Sequence, residues 1–297
     1  MERINLSEKL TVSRLIQGFW RLDTWQMATR ELAGFISACL DRGVTTFDTA
    51  EIYGDTVCEQ QLGQALRKQP GLRQRIQLIS KTGIFKTKLS HGDFTYYDTS
   101  YDRVIQSCKE SLDRLATDYL DLYLIHREDP CINFEETARA LLDLKREGLV
   151  REIGVSNFDP YKFSGLQKWT HGQLVTNQIE WNPLCFEHFN SGMFDLLGAD
   201  GIHPLIWSPL AGGKLFTGDD LATQEVRKVL DELAQKYQAD PSTIVYAWIF
   251  YHPSKAAVIS GSRKLNRLDL AAKAFELELD RSDWFRLYAA SGQQTIR

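Results

Sequence analysis

The chain contains few cysteines and no cysteine motif. Its 297 residues include five, scattered as Cys39, Cys58, Cys108, Cys131 and Cys185, with no C-x-x-C pair among them. An odd, dispersed set of this kind is typical of reduced thiols in a cytoplasmic protein. We therefore expect free and mostly buried cysteines, and we expect none of them to be a catalytic thiol.

Long apolar runs and an excess of positive charge are also missing. The best candidate span, residues 244–250, is far too short to cross a bilayer, and the charged start MERINLSEKL does not predict a secretory signal. A net charge of −4 argues against nucleic acid or an anionic membrane as the main partner. His91, His171, His188 and His252 lack the spacing of metal ligands, so we predict no metal.

Short β-rich segments alternate along the whole chain with longer amphipathic ones. Residues 134–147 carry one apolar stripe, which is typical of a helix that covers a sheet, and LDLYLIH is apolar on both faces, like a buried parallel strand. Without a linker, this alternation predicts an α/β fold in which residues 1–297 form a single (β/α)₈ TIM barrel domain. The predicted strands are 16–19, 45–48, 77–81, 120–126, 152–156, 175–180, 204–208 and 257–260, and the predicted helices are 29–42, 56–68, 101–115, 134–147, 160–169, 223–237 and 265–275.

Several segments fall outside the repeated unit. Residues 1–16 are typical of an N-terminal β-hairpin that could close the bottom of the barrel, and extra helices are predicted at 241–251 and 282–290. The sixth helix has only a weak signal, within 184–202. Residues 83–100 are predicted to form an unusually long loop, and a functional role and a plain surface excursion have equal weight there.

Ionisable side chains follow three consecutive predicted strands. The second strand ends at Asp48, with Tyr53 just beyond it, the third ends at Lys81 and the fourth at His126. In a TIM barrel these strand ends share the face that carries active sites. A nearby ammonium lowers the pKa of a phenol from its usual value of about 10, and a carboxylate would neutralise that ammonium. The set therefore predicts a tuned acid for carbonyl reduction, in which hydride reaches carbon and a proton reaches oxygen.

Each of these residues also has a purely structural interpretation. Lys81 could be a surface charge, Tyr53 a packing residue, His126 a hydrogen-bonded core histidine and Asp48 a cap for the next turn. Their convergence on one rim favours the catalytic interpretation, because four independent structural roles would not produce it.

Six sequence segments, in this order and spacing, resemble the aldo-keto reductase superfamily and, within it, a group of bacterial oxidoreductases. They are DTAEIYG, ISKTG, LYLIHRED, GVSNF, NQIEWNP and WSPLAGGKL, and the resemblance extends over residues 18–267. It implies an NADPH-dependent oxidoreductase that reduces aldehydes or ketones, as a monomer or a weak homo-oligomer. It also implies that Asp48, Tyr53, Lys81 and His126 are catalytic, with Tyr53 as the general acid for reduction.

The resemblance further implies a site for NADPH or NADP⁺, although no G-x-G-x-x-G motif indicates a Rossmann site. Trp207 would stack on the nicotinamide, and Arg263 and Arg267 would grip the 2′-phosphate. Gly212 and Gly213 could instead form a plain turn, and the two arginines a solvated helix start. The implied contacts are Gly18, Phe19, Asp48, Ser156, Asn157, Gln178, Trp207, Ser208, Pro209, Leu210, Ala211, Gly212, Gly213, Lys214, Ser260, Gly261, Ser262, Arg263 and Arg267.

The predicted substrate is a small carbonyl compound, apolar or aromatic, in a pocket walled by Trp20, Trp25, Phe85, His126 and Arg127. Trp25 and Phe85 could equally serve local packing. Two other functions stay open at this point. One is a nicotinamide-binding regulatory or sensing protein with little turnover, and the other is a metal-dependent barrel hydrolase that uses Asp48 and His126.

Overall fold

A computed structural model describes residues 1–90 and 92–293. Eight parallel strands close into a barrel in the order β3-β4-β5-β8-β9-β10-β11-β12, and β12 pairs with β3. This confirms the predicted (β/α)₈ fold. The strands in the described residues are β1 (Arg3–Asn5), β2 (Thr11–Ser13), β3 (Leu15–Gly18), β4 (Thr46–Asp48), β5 (Gln77–Thr82), β6 (Ile84–Leu89), β7 (Gly92–Tyr97), β8 (Leu120–Ile125), β9 (Val150–Ser156), β10 (Leu174–Glu180), β11 (Leu205–Trp207) and β12 (Ala257–Ser260).

The α-helices surround the barrel close to their predicted positions. The weak segment 184–202 forms two short helices rather than one, and both predicted extra helices are present as α10 and α12. The α-helices in the described residues are α1 (Thr29–Asp41), α2 (Val57–Lys68), α3 (Tyr101–Leu115), α4 (Phe134–Arg146), α5 (Pro160–Trp169), α6 (Glu187–Asn190), α7 (Met193–Ala199), α8 (Lys214–Thr217), α9 (Leu221–Tyr237), α10 (Pro241–Tyr251), α11 (Leu265–Lys273) and α12 (Arg281–Ala290).

The N-terminal hairpin of β1 and β2 closes one end of the barrel. Its buried residues Ile4, Leu10 and Val12 share one apolar cluster with residues of the barrel strands, including Ile16 and Leu122. The hairpin is therefore the predicted plug, and it seals the barrel at the N-terminal ends of the strands.

Residues 83–100 were predicted as a loop, and this prediction is wrong in part. β6 and β7 pair along their whole length as an antiparallel ribbon, in a register that runs from Ile84 opposite Tyr97 to Leu89 opposite Gly92. The β-branched and aromatic residues of this segment favour a strand.

All five cysteines are free thiols, as predicted. Cys39, Cys58 and Cys108 are buried, and burial raises their pKa to about 12, 11 and 12 respectively. A thiol with so high a pKa is a poor nucleophile at neutral pH, so these three act as small apolar core residues.

Helices α2 and α3 pack unusually closely at Gly63. A Cβ atom at this position would lie 2.0 Å from the carbonyl oxygen of Arg114, which is backbone and cannot move aside. Gly34, in the neighbouring helix α1, has no such neighbour within 4 Å. The two glycines therefore allow a matched test of this packing.

We expect Gly63→Ala to destabilise the protein by about 2 kcal/mol, because the added methyl group forces the two helices apart. Gly34→Ala should stabilise it by up to about 1 kcal/mol, since alanine has a higher helix propensity than glycine. Urea unfolding followed by circular dichroism measures both changes. An equal response of the two variants would contradict the close packing.

Candidate active site

The side chains of Asp48, Lys81 and Tyr53 meet at the C-terminal ends of β4 and β5. The Lys81 Nζ donates to Asp48 Oδ1 at 2.7 Å, to the Thr49 carbonyl at 2.8 Å and to Tyr53 Oη at 3.2 Å. All three donor positions of the ammonium are therefore used, and one of them is directed at the phenol.

Burial makes the ion pair between Lys81 and Asp48 a strict requirement. Lys81 is completely buried and Asp48 is 3% exposed. The second carboxylate oxygen of Asp48 accepts a hydrogen bond from Gln178 Nε2 at 2.8 Å. Loss of one partner of such a pair typically costs about 3–5 kcal/mol, because the remaining charge is left without compensation.

The environment sets the protonation states of Tyr53, Lys81 and His126. Burial raises the pKa of the Tyr53 phenol, and the charge of Lys81 opposes this without outweighing it. Burial lowers the pKa of Lys81, but the charges and hydrogen bonds of Asp48 and Tyr53 outweigh it and raise that pKa overall. For His126, burial, with the charges of Lys81 and Arg127, lowers the pKa well below its usual value. At neutral pH the phenol is thus protonated, the ammonium charged and the imidazole neutral.

His126 lies beside the phenol. Its ring meets that of Tyr53 edge to face at a centroid distance of 5.5 Å, and its backbone N–H donates to the Thr82 carbonyl at 2.7 Å. Its Nδ1 atom is buried and has no hydrogen-bond partner among the described residues. The orientation of the ring therefore depends on packing rather than on a side-chain hydrogen bond.

The turn that carries Tyr53 is fastened to the neighbouring strand β5. The Glu51 N–H donates to the Lys81 carbonyl at 3.0 Å, and Thr82 Oγ1 donates to the Glu51 carboxylate at 2.8 Å. Beyond Tyr53, the Lys86 ammonium on the ribbon pairs with Asp55 at 2.6 Å. These contacts anchor the chain on both sides of Tyr53 in the sequence, at Glu51 and Asp55, and so hold the phenol over Lys81.

A cleft of about 990 Å³ opens above these groups. Its lining includes the catalytic candidates Asp48, Tyr53 and His126. The other predicted site residues that it brings together are Gly18, Trp20, Arg127, Ser156, Asn157, Gln178, Trp207, Ser208, Pro209, Leu210, Gly212, Gly213, Ser260, Gly261, Ser262 and Arg267.

Two predicted substrate walls do not line the cleft. Trp25 is 6% exposed and packs in the core against Phe19 and Phe35, at centroid distances of 5.7 and 5.6 Å. Phe85 is 7% exposed and lies under the guanidinium of Arg103, 3.9 Å from its ring centroid. The local-packing interpretation therefore describes both positions.

Five predicted cofactor or catalytic residues also lie outside the lining. Arg263 Nη1 donates to the Trp25 carbonyl at 2.8 Å, and Lys214 pairs with Asp220 at 3.1 Å. Phe19 is completely buried, stacked on Phe47 at 5.9 Å. Lys81 lies below the surface of the cleft, and Ala211 is the fifth of these residues.

Other residues line the cleft that were not predicted as part of the site. On the ribbon, Ile84 and Lys86 reach it, although only the length of the insertion had indicated a role there. Asp240 and Pro241 also line it, at the start of the predicted extra helix 241–251. The remaining unpredicted lining residues are Arg21, Ile52, Gly54, Phe216, Thr217, Ser242, Tyr246, Ile259 and Leu270.

A hydrogen-bond network fixes the middle of the cleft. Trp207 Nε1 donates to Asn157 Oδ1 at 2.9 Å, and Asn157 Nδ2 donates to Ser156 Oγ at 2.8 Å. Ser156 Oγ in turn donates to the Gln178 carbonyl at 2.8 Å. Asn157 holds a left-handed backbone with φ 59°, a conformation that non-glycine residues adopt rarely and often at functional sites. The plane of the indole is therefore firmly set.

The far half of the cleft suits a nicotinamide dinucleotide. Gly212 and Gly213 have φ of 65° and 102°, and a Cβ at Gly213 would meet no atom within 4 Å, so the backbone there is open to a ligand. Hydroxyls from Ser208 and Ser262 and the guanidinium of Arg267 are donors suited to phosphate. An indole plane, an open glycine turn and donors suited to phosphate therefore line the same cleft.

The described residues contain neither a cluster suited to a metal ion nor a helix suited to a membrane span. In this part of the chain no group of three or more His, Cys, Asp or Glu side chains is arranged to hold a metal ion. None of its helices combines the length and apolar character that a membrane span needs.

Comparison with known proteins agrees with this architecture. The family model described as Aldo/keto reductase family matches residues 14–291. Oxidoreductase YdhF of Escherichia coli K12 is 41% identical over 280 residues, which cover 94% of this chain and 93% of that protein. The 6-dehydroglucose reductase of Agrobacterium fabrum is 39% identical over 291 residues, 97% of each. The structure of the aldo-keto reductase Tm1743 with the inhibitor epalrestat has a TM-score of 0.82 at 26% identity, over 98% of this chain and 100% of that one.

Fold and comparisons together define an oxidoreductase built on a (β/α)₈ barrel. The chain belongs to the aldo/keto reductase family. Reduction of small carbonyl compounds with a nicotinamide cofactor is the general reaction of this family.

The lowered pKa of His126 predicts a pH-dependent stability. As the pH falls through about 6.5, the unfolded chain binds a proton at this histidine while the folded protein does not, so the folded state is destabilised. We expect His126→Gln to remove about 1.4 kcal/mol of the stability lost between pH 7.5 and pH 5.5. Urea unfolding of both proteins at the two pH values measures this difference. Identical losses would show that His126 is protonated equally in both states.

Proposed function

We propose that this protein is an NADPH-dependent reductase of aldehydes or ketones in which Tyr53 supplies the proton. One observation carries the proposal: at the base of the cleft, a buried and ion-paired lysine donates a hydrogen bond to a half-buried phenol. A binding site alone would not need this buried ion pair beneath a hydroxyl.

The cofactor, when bound, supplies the hydride. Trp207 would stack against its nicotinamide. Gln178 would accept a hydrogen bond from the carboxamide through Oε1, since its Nε2 already donates a hydrogen bond to Asp48. Ser156 and Asn157 would complete that end of the site. Gly212 and Gly213 would allow the pyrophosphate to approach the backbone, and Ser262 and Arg267 would bind the 2′-phosphate. The other predicted contacts that line the cleft, Gly18, Ser208, Pro209, Leu210, Ser260 and Gly261, would lie between these groups.

The residues of the chain then manage the proton. Tyr53 Oη donates it to the carbonyl oxygen as that oxygen gains negative charge, and Lys81 stabilises the phenolate left behind. Asp48 keeps Lys81 charged throughout. His126, neutral at this pH, can donate a ring N–H to the same oxygen. In the reverse direction the phenolate would act as the base.

Two features support a broad choice of carbonyl substrates. Trp20, Trp207 and Ile84 give the Tyr53 end of the cleft aromatic and apolar surfaces that suit aromatic aldehydes. The name of the Agrobacterium relative, 6-dehydroglucose reductase, adds a sugar aldehyde to the candidates. A substrate panel should therefore contain both classes.

We propose in addition that residues 1–297 act as one domain, as a monomer or weak homo-oligomer in the cytoplasm. The continuous barrel supports a single domain, since its last strand β12 pairs with its first strand β3. The five free thiols support a reducing compartment.

Replacement of Tyr53 tests the proton donor. We expect Tyr53→Phe to lower kcat for 4-nitrobenzaldehyde reduction by about 10²–10⁴-fold, because the general acid is removed while the ring remains. Absorbance at 340 nm measures the rate, and quenching of tryptophan fluorescence by NADPH measures binding, which should be retained. Full activity in this variant would refute the assignment. NADPH binding without turnover of any aldehyde by the unaltered protein would favour the regulatory alternative.

Two arginines provide a matched test of the cofactor preference. Arg267→Ala should weaken NADPH binding by about 10–100-fold relative to NADH, because a charge-assisted bond to the 2′-phosphate is lost. Arg263→Ala removes the same charge four residues earlier in the sequence, but Arg263 donates to the Trp25 carbonyl, so this variant should leave the ratio unchanged. Fluorescence titration with both cofactors decides between them. A larger change of the NADPH-to-NADH affinity ratio in the Arg263 variant would assign the 2′-phosphate site to Arg263 instead.

A further inference from the structure

The cleft is positively lined in a chain that is negatively charged overall. The net charge of the chain is −4, yet four cations and only two carboxylates line the cleft. The cations are Arg21, Lys86, Arg127 and Arg267, and the carboxylates are Asp48 and Asp240. Such a distribution favours anionic ligands.

A dinucleotide explains the charges at only one end of the cleft. Arg267 lies at the phosphate end, and Arg21 reaches the glycine turn, where its Nη2 would lie 3.9 Å from a Cβ at Gly212. Asp240 is occupied as the cap of helix α10. The phosphates of the cofactor therefore account for Arg21 and Arg267, and they do not account for the cations near Tyr53.

At the Tyr53 end the charges are not balanced within the protein. Asp48 is fully engaged by Lys81 and Gln178, and Lys86 is paired with Asp55. Arg127 is exposed and forms no ion pair in the part of the chain that the structure describes. Its guanidinium carbon lies 5.6 Å from the ring centroid of Trp207.

The carboxylates near Arg127 are engaged elsewhere. Glu180 is close enough for the charge of Arg127 to lower its pKa against the larger effect of burial, but its carboxylate accepts a hydrogen bond from Asn182 Nδ2 at 3.1 Å. Glu128 pairs with Lys162 at 2.8 Å. The guanidinium of Arg127 is thus left with free donors at the substrate end of the cleft.

We propose that Arg127 binds an anionic group of the carbonyl substrate, such as a carboxylate, at a position remote from the carbonyl that is reduced. The proposal rests on the proposed reductase function and names the class of its substrate. A guanidinium binds carboxylate oxygens through two parallel N–H donors, and it is weakly hydrated, which lowers the cost of removing water from it. Lys86 contributes less, because Asp55 already neutralises it.

The test compares substrates that differ by one charge. The substrates are 3- and 4-carboxybenzaldehyde and the methyl ester of each, with NADPH oxidation followed at 340 nm. We expect kcat/KM to be at least tenfold higher for the acid than for its ester in at least one isomer. Arg127→Gln should lower this acid-to-ester ratio at least tenfold. Lys88→Gln, which removes an exposed charge from the ribbon outside the cleft, should leave the ratio unchanged.

A binding measurement separates this proposal from the reductase function itself. Calorimetric titration of 4-(hydroxymethyl)benzoate and 3-(hydroxymethyl)benzoate into NADP⁺-saturated protein should give tighter binding than titration of their methyl esters, and Arg127→Gln should abolish the difference. If no aldehyde is reduced, the proposed function fails while this titration still decides on the anion site. Equal binding and turnover of acid and ester, or a ratio unaltered in Arg127→Gln, would overturn the proposal.

Discussion

The site depends on one buried ion pair, between Lys81 and Asp48. An uncompensated charge at this depth would be expensive, so the barrel must bring the ends of β4 and β5 into one arrangement whenever it folds. The same ammonium donates to Tyr53, so the contact that satisfies Lys81 also sets the position of the phenol. Stability and the proposed chemistry therefore share one geometric requirement.

The two ends of the barrel meet different requirements. At the N-terminal ends of the strands, a hairpin supplies Ile4, Leu10 and Val12 to the barrel interior and completes an apolar core. At the opposite ends, buried polar groups satisfy one another through short hydrogen bonds, as Gln178 does with Asp48. Because most of the apolar core lies in the larger cluster of strand and helix residues, the polar end can retain an open cleft and left-handed residues such as Asn157.

The strand pattern predicted most of the fold, because buried parallel strands have a strong apolar signal and their ends share one face. The same reasoning brought together Asp48, Tyr53, Lys81 and His126. The strand pattern does not predict the direction of a side chain that lies beyond a strand end. Trp20 and Trp25 lie five residues apart, but the 3₁₀ turn Leu22–Thr24 directs Trp25 into the core while Trp20 remains 57% exposed at the cleft. Tertiary contacts decide such directions, as the bond to the Trp25 carbonyl does for Arg263.

The ribbon of β6 and β7 connects part of the cleft lining to the turn that carries Tyr53. Arg103 pairs with Glu51 at 3.3 Å and covers Phe85 of the ribbon, so one side chain contacts both the Tyr53 turn and the ribbon. Ile84 and Lys86, on either side of Phe85, line the cleft. The ribbon lies outside the barrel sheet, and neither residue is a hydrogen-bond partner of Lys81, but Lys86 pairs with Asp55 beside the turn that carries Tyr53. Exchanges at Ile84 can therefore alter the cleft while the proposed proton donor stays in position, provided that Phe85 and Lys86 keep their contacts.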